Sequence, residues 1–148
     1  MFNLSLWPHC SKAHAEAVSG TIRGPHVWIS IGDPGEPGPY WTDNPHRLGI
    51  HRLEVYDSLL RAAVLQADGP ALFPERQPMT ALQAKAVHHF LYSYPTTTAV
   101  FVHCHAGMAR SPAVVKALAL GYVHPQASPT PHVLRAFDAI PNSFRWMR

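Results

Sequence analysis

The residues with most chemical promise lie together in Val102-His103-Cys104-His105-Ala106-Gly107-Met108-Ala109-Arg110-Ser111-Pro112. A cysteine stands at the end of an apolar, β-branched run, and an arginine follows six positions later, just before an apolar stretch with helical character. A strand that ends at Cys104 and a helix that begins near Arg110 leave five residues, His105 to Ala109, to form the turn between them. Such a turn can curl so that successive backbone N–H groups point inward and make a nest for a tetrahedral anion. Gly107 permits the backbone angles that the curl needs. Arg110 adds a planar fork that holds two phosphate oxygens and keeps its charge at any working pH. Amides, helix end and guanidinium together favour thiolate over thiol, so the sulfur of Cys104 is expected to act as a nucleophile beneath a bound phosphate. The cradle would stabilise the equatorial oxygens while sulfur attacks in line. Ser111 is expected to hydrogen-bond the sulfur and ease its departure, and His103 to orient the loop rather than to act as a base.

The elements that must position this segment can be read from spacing. Phe2 to Leu6 is expected as a short strand, followed by a helix from Lys12 to about Ser19 that is capped by Ser11 and ended by Gly20. Val27 to Ile31 is a buried strand closed by Gly32, and the Pro/Gly-rich stretch Asp33 to Pro39 is a surface loop. Gly49 to Val55 is a further strand. Thr80 and Gln83 form a capping box that opens a helix to about Tyr92, with Leu82, Ala86 and Phe90 as its apolar stripe. Thr96 to Val102 is a strand, and Ser111-Pro112 reads as an N-cap followed by proline, opening a helix to Val123. A last helix is expected from about Ser128, carrying Val133, Leu134, Phe137 and Ile140. Strands that alternate with helices imply an α/β domain of three layers, its mainly parallel sheet of four or five strands flanked by helices.

Composition narrows the alternatives. The 148 residues, 47% of them hydrophobic, fit one domain, 1–148, with a real core. The net charge of +3 is dispersed, so nucleic acid is not an expected partner. Two cysteines 94 positions apart give no disulfide framework, and no membrane span or signal segment is evident. A cytoplasmic protein is expected. Cys10 reads as structural, His88 and His89 as the exposed side of their helix, Trp28, Trp41 and Trp146 as core aromatics, and Tyr40-Trp41 as a candidate pocket wall. His103, Cys104 and His105 are neighbours on an extended chain that point to opposite sides, so a metal is not expected; no Walker-type Gly-x-x-x-x-Gly-Lys loop occurs, and no cofactor is expected.

The series His103-Cys104-x-x-Gly107-x-x-Arg110-Ser111 resembles the signature of the cysteine-dependent protein tyrosine phosphatases, and the chain is most similar to their small dual-specificity branch and its bacterial relatives. The resemblance covers roughly residues 27–122. It implies the phosphatase-like α/β fold and hydrolysis of phosphotyrosine, with phosphoserine and phosphothreonine as further substrates of the dual-specificity type. The reaction passes through a phosphocysteine on Cys104, with no cofactor. The loop residues His105, Ala106, Gly107, Met108, Ala109 and Arg110 would bind the phosphate of a phosphorylated protein or peptide. The family also uses an aspartate on an upstream loop as general acid. Asp57 is favoured, because His51 to Tyr56 resembles the family's strand before the acid; Asp68 is the alternative, and Asp33 and Asp43 are the remaining candidates. Competing readings are a phosphate-binding module that does not cleave, and a phosphatase of inositol phosphates or of RNA 5′-triphosphates. The lack of lysine within the loop disfavours a highly charged substrate.

Overall fold

The computed structural model describes residues 8–57 and 78–141. The strand expected at Phe2 to Leu6, the residues 58–77 with Asp68, and Trp146 lie outside them. The elements run β1 (His9–Ser11), α1 (Lys12–Val18), β2 (His26–Gly32), β3 (Arg47–Glu54), α2 (Ala81–Tyr92), β4 (Ala99–Cys104), α3 (Arg110–Ala117) and α4 (Pro131–Asp138). The four strands form one wholly parallel sheet in the order β1-β4-β2-β3, so the expected α/β layering holds. Parallel pairing puts the carboxyl ends of all four strands on one side. Ser11 stands beside Cys104, and Gly32 beside Glu54.

Alternation along β2 and β4 divides two cores. Val27, Ile29, Ile31, Val100, Val102 and Cys104 face the layer of α2, α3 and α4, where they pack with Val87, Leu91, Val114, Val133 and Phe137. Trp28 and Phe101 face the other way and pack with Ala15 and Val18 of α1. β2 is buried at every position, as expected of an interior parallel strand covered on both faces.

Helix α1 begins where expected, the Ser11 hydroxyl accepting the His14 amide, and α2 has its capping box of Thr80 and Gln83. The inward stripe of α2 is Ala84, Val87, His88 and Leu91. The expected stripe was out of register, for Leu82 is 76% exposed and Ala86 lies on the solvent side. His88, expected outside, is buried at 3% exposure against Phe137; His89 is exposed. Helix α4 starts at Pro131, three residues beyond the expected Ser128, because Ser128 and Thr130 each precede a proline, whose ring disfavours helical angles in the residue before it, and Thr130 is extended.

Two expectations about α3 fail for physical reasons. Its N-cap is Ala109, and Ser111 lies inside the first turn with its hydroxyl on the Cys104 sulfur instead of on a helix amide. Pro112 is tolerated there because first-turn amides lack intrahelical partners. The helix also stops at Ala117 rather than Val123. Ala119 turns to φ +52°, its amide bonds the Lys116 carbonyl, and the Leu120 amide bonds that of Val115. This is a Schellman stop with alanine at the left-handed position, where glycine carries no Cβ penalty. Ala119→Gly is therefore expected to stabilise the protein by about 0.5–1 kcal/mol and to raise its melting temperature by a few degrees, measured by thermal unfolding.

Candidate active site

The site is built where the four strand ends meet. Cys104 closes β4 and is 2% exposed. Its sulfur receives the Gly107 amide at 3.2 Å and lies 3.2 Å from the Ser111 hydroxyl. The loop that follows has its carbonyls tied outward. The His105 carbonyl accepts the Lys12 amide, that of Gly107 accepts from His9 Nδ1 at 2.8 Å, that of Met108 accepts the Ser128 amide, and that of Ala109 accepts the amides of Thr130 and Ala113. In a planar trans peptide the carbonyl of one residue and the N–H of the next point in opposite directions. Carbonyls held against the flanking segments thus turn the N–H groups of Ala106, Met108, Ala109 and Arg110 toward the loop's interior. The side chains of His105, Ala106 and Met108 meanwhile face solvent. The loop is an amide nest above a sulfur, at the first turn of α3.

Gly107 is required twice over. Its φ is +80°, and a Cβ placed on it would stand 2.5 Å from the Cys10 carbonyl carbon and 2.6 Å from the Ser11 nitrogen, both backbone atoms of β1. The close approach lets His9, buried at 4% exposure, reach the Gly107 carbonyl. His9 Nε2 accepts the His124 amide at 3.1 Å, so the proton must sit on Nδ1, which donates to Gly107. Burial lowers the His9 pKa and keeps the ring in that neutral form.

Arg110 is 4% exposed and is held by one nitrogen. Nη1 donates to Asp33 Oδ1 and to the Val55 carbonyl, both at 2.8 Å. The buried Nε has no partner among the described residues, so the Nε–Nη2 edge is the one that can receive two oxygens of an anion. Glu36 lies on the same rim. Its carboxylate accepts the Asp33 amide at 2.8 Å and stands 3.7 Å from His105 Nδ1. Burial alone would raise the Glu36 pKa, but the Asp33 amide, Arg110, Lys12 and His105 together hold it below the usual value.

His103 occupies the opposite face of β4 from the sulfur. Its Nε2 lies 2.6 Å from the Ser30 hydroxyl, which accepts from Arg52, and its Nδ1 lies 3.3 Å from the Cys104 carbonyl. The hydroxyl, already accepting from Arg52, donates to Nε2, and Nδ1–H points at the Cys104 carbonyl. Burial is the main reason that its pKa falls to about 4. Trp28 and Trp41 pack on the ring, so Trp41 belongs to this support rather than to a pocket wall. Cys10 is a free thiol that burial, with a contribution from Cys104, pushes up to about 12.

The structure thus brings together Cys104, Gly107, Arg110 and Ser111, with His103 behind them. The candidate acids separate. Asp33 is bound to Arg110. Asp43 precedes β3 at its amino end, roughly 25 Å of strand from the site. Asp57 is exposed, two residues beyond the Val55 carbonyl that anchors Arg110. Asp68 lies outside the described residues. The roles of His9, Asp33 and the Val55 carbonyl are not evident in the sequence, because each depends on strand order. Comparison of the chain with protein-family models, with curated proteins and with solved structures gives no match in any of the three.

Two outcomes follow. Gly107→Ala is expected to weaken the binding of inorganic phosphate or vanadate at least tenfold, measured by titration calorimetry, since the loop must leave β1 to admit the methyl. A histidine whose folded pKa is depressed takes up protons on unfolding, so its stabilising contribution is lost as pH falls through 6.5 toward the folded value. His103 alone should cost about 2 kcal/mol between pH 7.5 and pH 5. His9, His26, His51 and His132, all lowered chiefly by burial, act in the same direction. Urea unfolding at the two pH values measures the sum, and a smaller pH dependence in His103→Gln isolates the one ring.

Proposed function

We propose that this protein is a metal-independent phosphatase of the cysteine-dependent tyrosine phosphatase type. It hydrolyses phosphotyrosine, and phosphoserine or phosphothreonine where the pocket admits them, in a phosphorylated protein or peptide. The observation that carries this reading is the Cys104 sulfur beneath a loop whose carbonyls are tied outward and whose arginine is held through Nη1 while its buried Nε has no partner among the described residues. The parallel order β1-β4-β2-β3, with the site at the carboxyl ends of the strands, supports the phosphatase-like fold as well. A cytoplasmic setting suits a buried working thiol that must stay reduced, and no helix among the described residues is long and apolar enough to cross a membrane.

The Cys104 sulfur attacks phosphorus in line with the leaving oxygen. The inward amides and Arg110 bind the three equatorial oxygens, whose charge builds in the transition state. The phosphorus–oxygen bond breaks as the Asp57 carboxyl protonates the leaving oxygen, and a phosphocysteine remains. Water then attacks phosphorus, its proton passing to the Asp57 carboxylate. The sulfur leaves as a thiolate that the Gly107 amide and the Ser111 hydroxyl stabilise, and inorganic phosphate is released.

The test is hydrolysis of aryl phosphates and phosphopeptides in the presence of chelator. Cys104→Ser should abolish turnover, and Asp57→Ala should lower it by the 10²- to 10⁴-fold typical of proton-transfer groups. Turnover retained in Cys104→Ser overturns the mechanism. An unaffected rate in Asp57→Ala moves the acid to Asp68. Inositol phosphates and RNA 5′-triphosphate, run beside the phosphopeptides, should be the poorer substrates.

A further inference from the structure

His132, in the first turn of α4, is 3% exposed and bonds two stretches of chain that are distant in sequence. Its Nδ1 accepts the Met79 amide at 2.9 Å, and its Nε2 lies 2.8 Å from the Tyr56 carbonyl. A nitrogen that accepts an N–H carries no proton, so the proton is on Nε2 and is donated to Tyr56. One tautomer satisfies both bonds. The charged form cannot, because two ring N–H groups would then face the Met79 amide and the Tyr56 carbonyl. Burial lowers the pKa chiefly, with Arg135 and Arg110 acting in the same direction; the Tyr56 bond and the carboxylate of Asp57 oppose them.

These two bonds bear on the residue that follows. The chain leaving β3 is held by two successive carbonyls. That of Val55 accepts Arg110 Nη1, and that of Tyr56 accepts His132 Nε2. The main chain is thereby pinned both to the anion-binding arginine and to α4, immediately before Asp57. The exposed carboxylate is adjustable, but its attachment point is set against Arg110.

We propose that His132 is a positioning residue for Asp57, fixing the distance over which the carboxyl delivers its proton to the leaving oxygen. The proposal rests on the phosphatase reading of the site. Proton transfer needs a heavy-atom separation of about 3 Å, and a displacement of about 1 Å at a reacting group costs on the order of 10²-fold in rate. Loss of the Tyr56 bond should therefore weaken acid catalysis and leave the phosphate nest intact, since the nest is held by His9, Lys12, Ser128 and Thr130.

The experiment compares kcat/KM on two aryl phosphates, 4-nitrophenyl phosphate, whose leaving group hardly needs a proton, and phenyl phosphate, which needs one. His132→Ala should lose at least tenfold more on phenyl than on nitrophenyl phosphate, as Asp57→Ala should. It should cause no further loss in an Asp57→Ala background, and should keep inhibition by inorganic phosphate within about twofold. His132→Gln, which retains a donor toward Tyr56, should recover part of the phenyl phosphate rate; it also carries the comparison if the alanine variant does not fold. An equal loss on both esters, or an additional loss on top of Asp57→Ala, overturns the proposal while the phosphatase reading stands. If Asp57→Ala shows no dependence on the leaving group, the assignment of the acid falls, and this role of His132 falls with it.

Discussion

A peptide group cannot turn its N–H toward an anion without turning its carbonyl away from it, and a buried carbonyl so turned must still find a donor. The loop after β4 meets this requirement four times. Two donors come from the β1–α1 junction, through the His9 ring and the Lys12 amide, and two from the stretch before α4, through the amides of Ser128 and Thr130. The nest is therefore a property of three chain segments rather than of a motif of a few residues. It stands on hydrogen bonds made on the side where no ligand goes, so its shape does not wait for a ligand to impose it.

Parallel pairing makes that arrangement possible. With all four strands running one way, the ends of β1, β2, β3 and β4 deliver Ser11, Asp33, Val55 and Cys104 to one crevice. A reversal of β1 would exchange its two ends, carry Lys12 away from the end of β4 and leave the His105 carbonyl without its donor. The same geometry separates the two neighbours on β4. Cys104 joins the core beneath the loop, while His103 enters the tryptophan layer over α1, where burial keeps it neutral and the Arg52–Ser30 pair fixes its orientation.

What the sequence made legible is whatever depends on neighbours in the chain. The cysteine at the strand end, the glycine at positive φ, the arginine opening α3, the Ser11 cap and the Thr80–Gln83 box all rest on local spacing and are where spacing put them. The errors arise where a tertiary partner competes. Ser111 has the composition of a cap but gives its hydroxyl to sulfur. The stripe of α2 is shifted because Ala84 and His88, not Leu82 and Ala86, meet the sheet and α4. The histidines carried almost no signal, yet His9, His103 and His132 each sit buried in a single tautomer that joins distant backbone or side-chain groups. An imidazole that accepts on one side and donates on the other looks, in sequence, like any other histidine.

The Arg110 ion pair has a consequence for long-range attraction. The guanidinium is buried, but its partner Asp33 is half exposed at 49%, and Glu36 stands beside both. Around the guanidinium the mouth carries charges of both signs, the carboxylates of Asp33 and Glu36 and the Lys12 ammonium, which donates to the Pro37 carbonyl. In the proposed function, steering of an anion from a distance would therefore owe little to Arg110 itself, whose charge Asp33 offsets, and would come from the cations around it. In that proposal selectivity would be exercised at contact, by how well a tetrahedral group fills a ring of fixed dipoles.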